Sequence, residues 1–223
     1  MINNPVIRII RERLLIDGFN GFDEKDFAIF HIEGLENRME ALQSRLQPKF
    51  AELGEELTNH LSTQLGNEMF LHIAKHARRT VNPPDNTWLA IADSKRGYKK
   101  HPHFQVGLWD DRVFIWLSLI YELEGKQSIA QSFLERFEAI KKLPKDYVVS
   151  LDHMTKPVIT LPEFEKKDLE RFRDVKKAEL LIGKIIPKDN PILQNGKAFT
   201  KEAEQTIQTL LPFYHLALRS RNN

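Results

Sequence analysis

Two apolar-rich segments, His103–Trp109 and Arg112–Tyr121, flank the dipeptide Asp110–Asp111. This is the most constraining stretch of the chain. A tight turn at the two aspartates folds the segments into an antiparallel hairpin. It sets Phe104 opposite Leu117, Val106 opposite Ile115 and Leu108 opposite Val113. Strand side chains alternate between faces, so all six project to one side. A slip of one residue would turn the whole apolar set outward, so pattern and turn specify the same register. Asp-Asp is a weaker turn pair than Asn-Gly, which leaves a slightly longer loop open.

The opposite face follows by alternation. It carries His103, Gln105, Gly107 and Trp109 on one strand and Arg112, Phe114, Trp116 and Ser118 on the other. Gly107 falls across from Phe114 and Gln105 across from Trp116, and His101 extends the face toward a basic loop. Large aromatics mixed with hydrogen-bonding groups are the composition of ligand pockets, and antiparallel sheets often leave one face uncovered. An open cleft reaching Trp116 and His103 is therefore expected. The alternatives are a loop or the chain's tail covering the face as a second minor core, or a dimer contact.

Elsewhere the patterns are helical or short and extended. Leu35, Met39, Leu42 and Leu46, then Phe50, Leu53, Leu57, Leu61 and Leu65, recur at helical spacing on either side of Pro48. A proline lacks the backbone donor and crowds the preceding turn. The spacing thus predicts a kinked helix, or two helices breaking near Gln47, with Gly66 as the stop. Ser128 with Gln131, Thr160 with Glu163, and Thr200 are read as helix starts. Phe27–Ile32, Met69–Ala74, Trp88–Ala92, Tyr147–Leu151, Val158–Leu161 and Glu179–Ile186 are read as strands. Ser94–Gly97 is read as a turn, and Pro83 and Pro84 place Val81–Asn86 in a loop. Both a short helix and an extended arm fit residues 1–22.

No repeat and no Pro- or Ser-rich linker divides the 223 residues. The order is helices, then a run of strands, then a mixture. The expected architecture is a single α+β domain over residues 1–223. It is a two-layer sandwich, a largely antiparallel sheet with helices mainly on one face.

Hydrophobic residues make up 41% of the chain, enough for a sizeable core. With no cysteine, thiol catalysis, disulfides and thiolate metal ligands within the chain are excluded. The N-terminal stretch lacks the apolar run of a signal peptide. The longest apolar run, Val113–Tyr121, is far short of the roughly 20 residues of a membrane helix. A cytoplasmic protein without membrane association is expected. The net charge of +2 gives no global pull toward nucleic acid.

The charge is unevenly placed. From Lys75 to His103, seven basic residues (Lys75, Arg78, Arg79, Lys95, Arg96, Lys99, Lys100) face two acids, Asp85 and Asp93. That excess of five leaves a net −3 on the rest of the chain. Arginine forks and lysine charges match phosphate and carboxylate, and Gly97 lets backbone amides join them. A solvated loop kept soluble by its charge is the plainer alternative.

Candidate ligand contacts are His76, Arg78, Arg79, Lys95, Arg96, Tyr98, Lys99, Lys100, His101, His103, Gln105, Phe114 and Trp116. Two histidine sets, His101 with His103 and Glu68 with His72 and His76, have metal-ligand residue types. Neither has a compact third and fourth ligand beside it, so no bound metal and no cofactor is expected. Asp152 and His153 adjoin, but neighbours on a strand point to opposite faces. There is no P-loop, dinucleotide-binding glycine fingerprint, GxSxG or HExxH.

Two functions are compatible with these residues. One is binding of an anionic small molecule or, on weaker support, a single nucleic-acid strand stacked on aromatics. The other is an enzyme on a phosphorylated or carboxylated small molecule. There His76, His101 or His103 is the acid–base group and Arg78, Arg79 or Arg96 the anion clamp. A scaffold or regulatory partner without a ligand also fits. These patterns do not encode an oligomeric state.

The phrases GLENRMEAL, KHARRTVNPP, SKRGYKK, PHFQVGLW and LPFYHLAL, spread from Phe22 to about Leu218, resemble the YktB-like family of uncharacterised bacterial proteins found in Bacillus and its relatives. The resemblance implies a compact α+β domain in the bacterial cytoplasm. It carries no catalytic residue across, because no activity is established for that family.

Overall fold

The computed structural model describes residues 18–221, and most of the segment read as an arm or short helix lies outside them. The helices are α1 (Glu24–Ala28), α2 (Leu35–Ala41), α3 (Gln47–Leu65), α4 (Lys126–Glu135), α5 (Phe137–Lys141), α6 (Lys166–Asp174) and α7 (Gly196–Ser220). The strands are β1 (Phe70–Ile73), β2 (Thr87–Ala92), β3 (His103–Leu108), β4 (Arg112–Leu119), β5 (Val148–Ser150), β6 (Ile159–Thr160) and β7 (Leu180–Pro187). They form one sheet in the order β1-β2-β3-β4-β7-β5-β6, every neighbouring pair antiparallel. The fold is a single α+β domain, in keeping with the order of elements along the chain.

The β3–β4 register is the one derived above, from His103 opposite Ser118 to Leu108 opposite Val113. Trp109 N–H donates to the Arg112 carbonyl at 2.9 Å, closing the two-residue turn. The Phe104–Leu117 face joins Leu89, Ile91, Leu180 and Ile182 under Leu42, Leu46, Phe50, Leu53 and Leu57 and the apolar stripe of α7. Helices therefore back one face of the sheet. Leu35 and Met39 are only half-buried.

Several local expectations change. Phe27–Ile32 is not a strand: Asp23 and Asp26 form a capping box that starts α1, and a 3-10 turn follows. The interruption expected near Gln47 is present, because α2 ends at Ala41 and α3 starts at Gln47 with Pro48 in its first turn. A π turn over Leu42–Leu46 lies between them, with Gln47 N–H donating to the Leu42 carbonyl. Pro48 has no N–H to donate, and in the first turn of α3 that donor would lack an intrahelical partner in any case. Gly66 ends α3 in the left-handed conformation. Helix α4 starts after Gly125, so Ser128 lies inside it. Glu163 does accept from Thr160, but α6 begins later behind a Glu165–Asp168 box. The last helix starts at Gly196, ahead of the expected place, because Asn195 accepts from Ala198 N–H. Thr200 instead donates to Glu56 of α3 at 3.2 Å.

Candidate functional site

The second face of the sheet is closed. Trp88, Ala90, Trp109, Phe114, Trp116 and Leu181 form a separate minor core, with Tyr98, Val148, Val158 and Ile185 packed at its margins. Trp116 is 5% exposed and His103 fully buried. The space beside Phe114 and Trp116 is only about 10 Å³, room for one water at most and far too little for a ligand. The open cleft expected there does not exist, and the loop-covered alternative holds. The covering loop, residues 151–158, is pinned at both ends. Lys156 pairs with Asp110 and, at 3.3 Å, with Asp111 at the hairpin turn. Asn86 Nδ2 donates to the His153 carbonyl at 3.2 Å.

His103 and Gln105 are therefore structural. His103 Nδ1–H donates to the His101 carbonyl at 2.8 Å, and its Nε2 accepts from Gln105 at 2.9 Å. Both ring nitrogens are satisfied by a neutral imidazole. Burial drives the pKa down to about 3 despite the hydrogen bond to the His101 carbonyl, which opposes the shift.

The basic segment instead surrounds two neighbouring basins along the β1 edge. The first, about 700 Å³, lies between β1 and the β2–β3 connection and is lined by His72, Arg96, Tyr98, Lys99, Lys100 and His101. The second, about 460 Å³, is lined by His76, Arg78, Arg79, Trp88, Tyr121 and His153. Lys75, Tyr98 and Lys99 border both. Of the candidates, Lys95 is exposed and lines neither, while Gln105, Phe114 and Trp116 lie beneath.

Aromatic rings build the wall between the basins. Tyr98 accepts from Trp88 Nε1 at 3.1 Å, and its ring meets His103 and His72 at 4.8 and 5.5 Å between centroids. Burial pushes the Tyr98 phenol upward in pKa, so the hydroxyl stays protonated. The loop after β1 is held by two arginines. Buried Arg38 of α2 donates to the Ile32 and Pro84 carbonyls at 2.9 and 3.0 Å. Arg79 donates to the Asn82 and Pro83 carbonyls, both at 3.2 Å. Arg79 thus shapes the loop as well as charging it.

Acids offset part of the positive charge. Lys99 pairs with Glu122 at 3.5 Å and Lys100 with Glu124 at 2.9 Å. His101 Nδ1 lies 2.8 Å from both Asp93 and Arg221. Among the described residues no acid pairs with Lys75, Arg78 or Arg96. Those three are the cations left for an incoming anion.

His76 sits in the left-handed region at φ 48°, a conformation uncommon for a side-chain-bearing residue. Its Nε2 lies 3.1 Å from Thr87 Oγ1. Burial first, and the Arg79 charge second, lower its pKa to about 4. Its ring stands edge-on to Trp88, 5.5 Å away at 88°, and His153 stands the same way at 5.8 Å and 87°.

His153 is the site residue that local pattern does not single out. Its partner is not Asp152 but Glu179, which precedes β7. The buried Glu179 carboxylate accepts from His153 N–H at 2.9 Å and from ring Nδ1 at 2.7 Å. Neither histidine set with metal-ligand residue types assembles. Among the described residues the one convergent group of ligand-type side chains is Asp152, His153 and Glu179, within 4.8 Å of one another. A buried glutamate directly before an apolar strand is the available signal, since such a carboxylate needs a partner.

The molecule these features define is a helix-backed antiparallel sheet with its second face sealed by loops and two basic basins at one edge. It belongs to the family described as a domain of unknown function (DUF1054), whose pattern matches residues 22–214. A UPF0637 protein of Oceanobacillus iheyensis is 60% identical over 203 residues, covering 91% of this chain and 99% of that protein. One from Shouchella clausii is 56% identical, covering 89% and 95%. One from Listeria monocytogenes serotype 4a is 52% identical, covering 90% and 99%. None of these descriptions assigns a ligand or a reaction. Among the described residues, no helix is long and apolar enough to cross a membrane.

Proposed function

We propose that this protein binds a small phosphate- or carboxylate-bearing molecule in the paired basins. The observation that carries the reading is the concentration of Lys75, Arg78 and Arg96, without acidic partners among the described residues, around two concave spaces walled by Trp88 and Tyr98. Charge-assisted bonds to an anion are about twice as strong as neutral ones, and the aromatic wall supplies area for the rest of the ligand. Two bounded hollows suit a small ligand better than a polynucleotide, which needs a continuous groove. We place this activity in the cytoplasm.

Titration calorimetry with inorganic phosphate and with nucleoside monophosphates tests the reading, with Trp88 fluorescence as a second signal. Arg78→Ala and Arg96→Ala should each weaken binding about tenfold or more, the loss of one charge-assisted bond. Parental affinity in both variants would remove the basins as the site. A steep fall of affinity with salt, found only for oligonucleotides, would move the reading to nucleic acid.

A further inference from the structure

The second basin holds a pair of groups that anion binding alone does not require. The His153 ring is oriented by Glu179, which takes its Nδ1–H at 2.7 Å while also accepting the backbone N–H of the same residue. The carboxylate is 4% exposed and the imidazole 14%. With Nδ1 committed, Nε2 is the nitrogen left for chemistry, and it has no hydrogen-bond partner among the described residues. The ring lines the basin that also contains Arg78, Lys75 and Lys99. A base held by a buried carboxylate, beside cations that can grip an anion, is the arrangement of general-base hydrolysis. Both oxygens of Glu179 are occupied, since Oε1 accepts from Tyr121 N–H at 3.4 Å, so the carboxylate acts through the histidine.

We propose that the second basin hydrolyses phosphate esters, with His153 as general base and Glu179 as its positioning residue. This rests on the anion-binding reading above. Arg78 and Lys75, the two cations of this basin without an acidic partner among the described residues, hold the phosphoryl oxygens. A water gives one proton to His153 Nε2 as its oxygen bonds to phosphorus. The bond from phosphorus to the ester oxygen breaks, and the leaving oxygen keeps that electron pair and takes a proton from solvent in the open basin. His153 then returns its proton to solvent, and Glu179 balances the transient imidazolium without accepting the proton. The Trp88 edge places the ester's organic group.

The test uses the full chain with 4-nitrophenyl phosphate and bis(4-nitrophenyl) phosphate, following release of 4-nitrophenolate. His153→Asn is the informative variant. Its side-chain amide keeps a donor at the place of Nδ1 for Glu179 and deletes Nε2. It should lower kcat about 10²–10³-fold while calorimetric binding of inorganic phosphate persists. Glu179→Gln should lower kcat, leave KM unchanged and move the acid limb of the pH–rate profile, which a purely structural contact would not do. If H153N fails to fold, the solvent deuterium isotope effect on the parent decides, and its absence counts against a general base. Parental turnover in H153N overturns the assignment. If the protein binds phosphate but releases nitrophenolate from neither ester, hydrolysis falls and the binding reading stands. If phosphate does not bind either, both fall.

Discussion

Phe114 lies directly over the backbone of Gly107. A methyl group on Gly107 would stand 2.3 Å from Phe114 Cζ, 2.5 Å from the Thr87 carbonyl oxygen and 2.7 Å from Trp88 Cβ. The glycine is the gap in β3 that lets an aromatic of β4 lie down inside the minor core. Its neighbour Trp116 stacks on Phe114 at 6.1 Å and 19° and pairs across β7 with a second glycine, Gly183.

Gly107→Ala should therefore destabilise the fold by about 1–3 kcal/mol, the range for overpacking a filled core. Two of its three close contacts are to backbone or to a Cβ and cannot swing away. Urea unfolding would show it as a lower midpoint with an unchanged slope. A midpoint equal to the parent's would mean that Phe114 is free to move.

Trp116→Ala should cost about 3–5 kcal/mol, the range for removing a buried aromatic. An open cleft over Trp116 would have had the substitution spare the fold and abolish ligand binding; the sealed face reverses that. At temperatures where the variant remains folded, phosphate affinity should match the parent's, because Trp116 is sealed from both basins. Selective loss of binding in a fully stable variant would restore it to the site.

Leu42→Ala should cost about 2–5 kcal/mol through lost transfer energy and a residual cavity. Leu42 is 2% exposed and begins the π turn that precedes α3. Chemical denaturation of this variant checks both the burial and the facing of the helix.

Stability should fall as pH drops below about 6.5. His103 and His76 titrate near 3 and 4 in the folded state, so between those values and 6.5 the unfolded chain binds protons that the folded chain refuses. Their contribution is complete above pH 6.5 and is lost as pH falls toward the folded values. Each adds a slope of about 1.4 kcal/mol per pH unit. His153, His72 and His101 face His103, and positive charge on them opposes its protonation. Urea titrations at pH 7, 6 and 5 measure the slope, and His103→Gln should flatten it. Equal stability at pH 7 and 5 would refute the buried neutral histidines.

Patterns that repeat within a few residues are legible in the amino-acid sequence by itself. The β3–β4 register, the buried stripe of Leu42, Leu46, Leu53 and Leu57, and the stop at Gly66 all follow from alternation of two, a period near 3.6, or one residue's φ. These are properties of the local backbone, so neighbours in sequence determine them. Alternation likewise places His103, Gln105, Phe114 and Trp116 together on the second face. It does not say what lies above that face. Only tertiary structure brings the 151–158 loop over it, through Asn86 to the His153 carbonyl and Lys156 to Asp110, residues 67 and 46 apart. The same closure moves the open space to the β1 edge and joins His153 to Glu179 across 26 residues. Contacts of that span depend on how several loops close against one another, and the energy that selects them is shared among all of them. No single segment of the sequence carries that information.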